Sequence, residues 1–186
     1  MARFKIHSTT IKDLRIIERS PVRDARGFLT RVFCANELAV VGWDRCVAQI
    51  NHTGTHKKGT VRGMHFQYPP HAELKLVSCL RGHIWDVAVD LRAGSPTFLK
   101  WHAEELSAEN GRAMLIPEGC AHGFQTLTND VEMLYVHSAP YVTESEGGVR
   151  ATDPLLAISW PMPIAEISER DANHPLLDSH FLGVVT

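Results

Sequence analysis

Gly111-Arg-Ala-Met-Leu-Ile-Pro117-Glu-Gly119-Cys-Ala-His122-Gly-Phe-Gln-Thr126 reads as two short strands joined by a tight corner. Arg112–Ile116 is an apolar extended run, Pro117 and Gly119 interrupt it, and Gly123–Thr126 resumes it. The same punctuation recurs on both sides. Upstream, Leu14–Glu18, Phe28–Phe33, Cys46–Asn51, Val61–Gln67, Leu74–Leu80, Ile84–Leu91 and Thr97–Glu105 read as strands, and downstream so does Glu132–His137. Within Ile84–Leu91, Trp85, Val87, Val89 and Leu91 alternate onto one face. Helix is expected only near Asn36–Val41 and as a short piece in Ser168–Leu177, interrupted by Pro175. Many strands at short spacing with few helices predict an all-β sandwich or barrel. The Pro-rich Trp160-Pro161-Met162-Pro163 ends the barrel part, and the extension from about residue 161 should pack back on it.

The 186 residues suit a single domain, 1–186, and 44% hydrophobic content is enough for a core and too much for disorder. Nineteen Lys and Arg against 21 Asp and Glu leave a net charge of -2. That balance offers no basic field for nucleic acid and no polybasic patch for a membrane. No run of about 18 apolar residues could span a bilayer, and Met1-Ala-Arg-Phe-Lys5 does not open a signal peptide. The four cysteines, Cys34, Cys46, Cys79 and Cys120, form no C-x-x-C pair and read as free thiols of a reducing cytoplasm. Cys120, between Gly119 and His122, is the one thiol to weigh as a nucleophile. The 11 histidines are conspicuous, because imidazole titrates near neutrality and ligates metals.

Two stretches carry a family resemblance. Gly111 to His122 is similar to the second cupin motif, and Gly59-Thr-Val-Arg62-Gly63-Met-His65-Phe-Gln67 resembles the first. The resemblance implies a cupin jelly-roll barrel with glycine and proline corners and His65 and His122 at its mouth. Metal-binding cupins use three His and one Glu, a set suited to Fe, Mn, Zn or Ni. Gln67 stands where the second His belongs, and Glu73 lies beyond the usual spacing. No metal and no cofactor are therefore expected.

A tighter resemblance runs along nearly the whole chain from Arg26-Gly27-Phe28. Arg62-Gly-Met-His65-Phe-Gln, Pro69-Pro-His71-Ala-Glu-Leu-Lys75-Leu-Val, Asp86-Val-Ala-Val-Asp-Leu-Arg92, Ile116-Pro-Glu-Gly119, Ala121-His-Gly-Phe124, Trp160-Pro161 and Ser168-Glu-Arg-Asp171 stand in one order. That order resembles the dTDP-4-dehydrorhamnose 3,5-epimerase family. The resemblance implies inversion of C3 and C5 of a nucleotide-linked 4-keto-6-deoxyhexose, in deoxysugar biosynthesis of the rhamnose type. A hydrogen next to a carbonyl is acidic because its carbanion delocalises as an enolate. The reaction needs a base on one face, an acid on the other, and positive charge at the enolate oxygen.

By resemblance, His65 is the base, Tyr135 the acid for the opposite face, and Lys75 the cation near the enolate oxygen. A His base needs a carboxylate to fix its tautomer, and Asp153 and Asp171 are both candidates. The resemblance selects Asp171. Arg26 and Arg62 would bind the diphosphate, with Arg170 in reach of phosphate. Gln49, Asn51 and His122 would add ligand contacts, Tyr141 would stack on the base, and Glu146 would make a polar contact nearby. The Arg26 segment is expected to reach the partner subunit's site, which implies a homodimer.

Arg62 and His65 have opposite strand parity, so both can face one site only across a bulge, which Gly63 could provide. Lys75 shares parity with Val77 and Cys79, compatible with an inward side chain. The sequence departs from the family at Arg31, usually Glu, and at Ile50, usually Asp, both near the expected nucleotide contacts. The alternatives are epimerisation at C3 alone or on another nucleotide sugar, a metal-dependent cupin, and a non-catalytic sugar-nucleotide-binding cupin.

Overall fold

The computed structural model describes residues 3–186. Its strands are β1 (Phe4–Ser8), β2 (Arg15–Arg19), β3 (Val22–Asp24), β4 (Gly27–Leu29), β5 (Gln49–Thr55), β6 (Thr60–Gln67) and β7 (Lys75–Arg81). They continue as β8 (His83–Asp90), β9 (Trp101–Ser107), β10 (Arg112–Ile116), β11 (Cys120–Thr126), β12 (Val131–His137), β13 (Glu146–Gly148) and β14 (Glu166–Ile167). Two α-helical turns, α1 (Ala35–Leu38) and α2 (Glu169–Ala172), and two 3₁₀ turns, Ala39–Val41 and Thr143–Ser145, complete the regular structure of the described residues.

Two six-stranded sheets face each other. One runs β1-β2-β10-β7-β12-β5; the other runs β13-β6-β11-β8-β9, with β14 parallel to β6. Between them, Val77, Met114, Ile116 and Met133 of the first sheet meet Ile84, Ala88 and Phe124 of the second. This is the expected all-β, cupin-like jelly roll.

Both sheets are also buried on their outer faces. The alternating face of β8 (Trp85, Val87, Val89 and then Leu91) points outward and is covered by Ile158, Trp160, Ile164, Leu177 and Phe181. Burying an aliphatic side chain is worth roughly 1.5–3 kcal/mol, so this face draws the C-terminal stretch down onto the barrel. On the other sheet, Ile17, Leu76, Leu115 and Val136 are capped by Leu38 of α1 and by Trp43.

The structure differs from the sequence reading at particular places. Phe28–Phe33 is strand only as far as Leu29. Phe28 and Leu29 are exposed, Arg31 turns to pair with Glu37, and Phe33 packs edge-on against Trp43. Thr97–Glu105 is extended only from Trp101, because the Ser95 and Thr97 hydroxyls both donate to Asp90 Oδ2 at 2.6 Å and fix a turn. The strand expected at Cys46–Asn51 starts at Gln49, and the one expected at Gly123 starts at Cys120. In Ser168–Leu177 helix persists for four residues, with Ser168 Oγ capping Asp171 N at 3.1 Å. The short β13, Glu-Gly-Gly, is a strand because β6 offers it an edge.

Candidate active site

The site lies at the barrel mouth, where β5, β6, β7, β11 and β12 open together. On the β6–β11 ladder His65 pairs with His122 and Arg62 with Phe124, so three steps along β6 match two along β11. This is the bulge that the parity conflict demands, and it brings Arg62 and His65 to one cavity. Gly63 makes it possible. Its φ is +123°, and a Cβ there would sit 2.5 Å from Gly123 Cα and 2.7 Å from the His122 carbonyl oxygen.

His65 Nε2 lies 2.9 Å from Asp171 Oδ1, and the other carboxylate oxygen accepts the Gly63 backbone N–H at 2.9 Å. Burial raises the Asp171 pKa. The hydrogen bonds from His65 and Gly63 and the nearby His65 charge outweigh it and hold the carboxyl well below the ordinary range. Asp153, the other candidate, is 1% exposed and accepts from the backbone N–H groups of Leu155 and Leu177. It ties the C-terminal stretch to the barrel.

Tyr135 lines the same cavity. Burial first, then the Asp86 charge, push its phenol well above the ordinary range, so it stands protonated. Its ring lies edge-on to His122 at 5.9 Å, and His122 Nε2 lies 2.7 Å from the fully buried Asp86. Lys75 is buried with its Nζ 3.0 Å from Glu73 Oε1. Glu73 Oε2 is 2.8 Å from His137 Nδ1. Burial raises the Glu73 pKa, but the His137 hydrogen bond and the Lys75 charge lower it further, so the carboxylate is ionised and matched.

The remaining predicted contacts fall into two groups. Asn51 and Arg62 line the cavity; Gln49 donates to Asn51 Oδ1 at 3.0 Å and accepts from Tyr141 N at 3.0 Å. Tyr141 donates its hydroxyl to Glu146 at 3.0 Å, and Arg170 donates to Glu146 at 3.1 Å. Arg170 Nη2 also lies 3.2 Å from His65 Nε2. Arg26 stands apart on the β3–β4 hairpin, exposed and paired with Asp24. Within one chain it does not reach the cavity.

Three other sequence expectations are settled by position. Ile50 follows the strand alternation to the face opposite Asn51 and is exposed, so it does not touch the cavity. Burial pushes the Cys120 thiol up to about 12, which removes it as a nucleophile. Gln67, at the lost metal-ligand position, spends its amide on the carbonyls of His71 and Pro140 and on the Val142 N–H. Glu73 and His137 were missed as cavity residues, although His137 shares parity with Tyr135 two residues earlier. Among the described residues, His65, Asp171 and His174 each place one possible metal-ligand atom within 4.8 Å of the others.

The arrangement can remove a proton from carbon with a carboxylate-oriented imidazole, return one from a phenol, and hold negative charge near an ammonium. A family model for dTDP-4-dehydrorhamnose 3,5-epimerase matches residues 8–179. The Sinorhizobium fredii protein described as dTDP-4-dehydrorhamnose 3,5-epimerase is 42% identical over 171 residues, 91% of this chain and 88% of that one. The Legionella pneumophila dTDP-6-deoxy-D-glucose-3,5-epimerase, solved with dTDP-4-keto-L-rhamnose, superposes with a TM-score of 0.90. It is 38% identical over 98% of this chain and 99% of its own. A 3'-monoepimerase from Streptomyces bikiniensis, solved with dTDP-quinovose, is also similar. Its TM-score is 0.85 at 33% identity, over 91% of this chain and 86% of that one.

Proposed function

The chain belongs to the dTDP-4-dehydrorhamnose 3,5-epimerase family, and we propose that it inverts C3 and C5 of a dTDP-linked 4-keto-6-deoxyhexose with the residues gathered above. It is an isomerase of deoxysugar biosynthesis. His65 gives its Nε2–H to Asp171, which leaves Nδ1 as the atom that takes a proton from the carbon next to the 4-keto group. The C–H electrons move into the carbonyl as an enolate, whose oxygen is met by the Lys75 ammonium. Tyr135 then delivers its proton to the opposite face of the same carbon, and exchange with water restores both groups. Each general acid or base step is worth about 10²–10⁴-fold.

Arg62 and Arg170 would pair with the diphosphate, and half-exposed Tyr141 offers a face to the thymine. Arg26 would come from the partner of a homodimer. The exposed Phe28 and Leu29 beside it support that reading, because apolar side chains on a projecting hairpin are stabilised by covering. The chain would act as one domain over 1–186, with the stretch from about 161 supplying Arg170 and Asp171. The free cysteines suit a cytoplasmic setting, and among the described residues no helix is long and apolar enough to cross a membrane.

The observation that carries this reading is His65, held at 2.9 Å by Asp171 behind it, lining one cavity with Tyr135 and Lys75. Likeness to a 3'-monoepimerase favours a second reading, inversion at C3 alone. Solvent-deuterium incorporation into dTDP-4-keto-6-deoxyglucose, read by NMR, separates them. Label at both C3 and C5 is expected; label at C3 alone establishes the second reading, and label at neither sinks both.

A further inference from the structure

Beside the His65–Asp171 pair lies an imidazole that the acid–base scheme leaves unused. His174 Nε2 is buried without a hydrogen-bond partner and lies 3.9 Å from Asp171 Oδ1. The His65 and His174 rings meet edge to face, 5.7 Å apart at 74°. The His174 ring is held in place: a Cβ on Gly148 would lie 2.2 Å from its Cε1, and Arg150 Nε donates to the His174 carbonyl at 3.0 Å.

We propose that His65, Asp171 and His174 form a binding site for a divalent transition-metal ion of the Zn²⁺ type, and that its occupancy switches the base off. Two imidazole nitrogens and one carboxylate oxygen suit Zn²⁺, Co²⁺, Ni²⁺ or Cu²⁺, whereas Mg²⁺ and Ca²⁺ demand oxygen. Metal–ligand bonds of about 2.0–2.2 Å put ligand atoms roughly 3–4 Å apart. The separations of 2.9 Å and 3.9 Å from Asp171 Oδ1 lie close to that range, and the three ligand atoms all fall within 4.8 Å of one another. The second Asp171 oxygen keeps its bond to Gly63 N and orients the carboxylate.

One group opposes the metal. Arg170 Nη2 lies 3.2 Å from His65 Nε2 and must withdraw. Its side chain is 56% exposed and already shared with Glu146, which can retain it. The site differs from the usual cupin position, where Gln67 is engaged elsewhere. A metal on His65 Nε2 takes that lone pair and leaves the proton on Nδ1, so the imidazole can no longer accept one from carbon. This consequence rests on the reading of His65 as base; the binding does not.

The test is titration of the purified full chain with ZnCl₂ by calorimetry, with Co²⁺ absorption as the report on geometry. One Zn²⁺ per chain, inhibition reversed by chelator, and a tetrahedral-type Co²⁺ spectrum are expected. His174→Ala should keep its metal-free activity, lose that spectrum, and bind Zn²⁺ at least about tenfold more weakly. Should that variant fail to fold, His174→Phe keeps the ring shape without the nitrogen. Equal Zn²⁺ affinity in wild type and variant, or no stoichiometric binding, overturns the proposal. Binding lost with His174 but no inhibition upholds the site and instead removes His65 as the base.

Discussion

The carboxylate of Asp171 meets three groups with two oxygens: it lies 2.9 Å from His65 Nε2, where the proposed mechanism has it fix the tautomer, it accepts the Gly63 N–H, and it lies beside Arg170. With its pKa lowered, its contribution to stability is fully present above about pH 4, the ordinary Asp value, and is lost only as the pH falls through the lowered one. It therefore stays ionised at neutral pH. Asp171→Asn should lower kcat by about 10³–10⁴-fold, because the amide no longer enforces the tautomer. Binding of dTDP, measured by calorimetry, should change little, since Asp171 is not among the phosphate contacts. A kcat within tenfold of wild type would remove the carboxylate from the mechanism. The resemblance named Asp171 over Asp153, but the residues alone left both open. Only the fold shows that Asp153 faces two backbone N–H groups and Asp171 faces an imidazole.

At the scale of elements, the decisive feature is the bulge in β6. Parity along a strand is readable from sequence, and so is its violation by Arg62 and His65. What no single strand reveals is the partner that makes room, here Gly123 on β11 packed against Gly63. Gly63→Ala should cost at least about 2 kcal/mol of stability by denaturant titration. It should also raise KM and lower kcat, as Arg62 and His65 part. A variant as stable as wild type would show that the bulge tolerates a side chain. Strand cores such as β7, β8 and β12 were legible because apolar residues and alternation mark them. Four elements escaped: β13 and β14 have no such pattern and are strands because β6 offers its edge, while the short β1 and β3 are strands through their pairing with β2 and β4. His137 escaped for another reason. Its role comes from Glu73, 64 positions away, and sequence shows neighbours in the chain, not across a sheet.

At the scale of the molecule, the sheet faces explain why the chain extends past the barrel. The second sheet is apolar on both sides, so residues beyond about 161 cover its outer face and in doing so carry Arg170 to the cavity and Asp171 to His65. The histidine surplus resolves in the same way. His65, His122 and His137 line the cavity, each beside a carboxylate, while His52 and His56 are exposed and pair with Glu132 and Asp130 away from it. The proposed epimerisation requires a base and an acid acting on opposite faces of one carbon. The direct measurement is solvent-deuterium exchange, set beside epimer formation, for His65→Ala and Tyr135→Phe. His65→Ala should show neither. Tyr135→Phe should still exchange, because His65 can remove a proton and return deuterium to the same face, yet form almost no inverted product. Inversion at the wild-type rate by Tyr135→Phe, or exchange by His65→Ala, would contradict the two-sided mechanism.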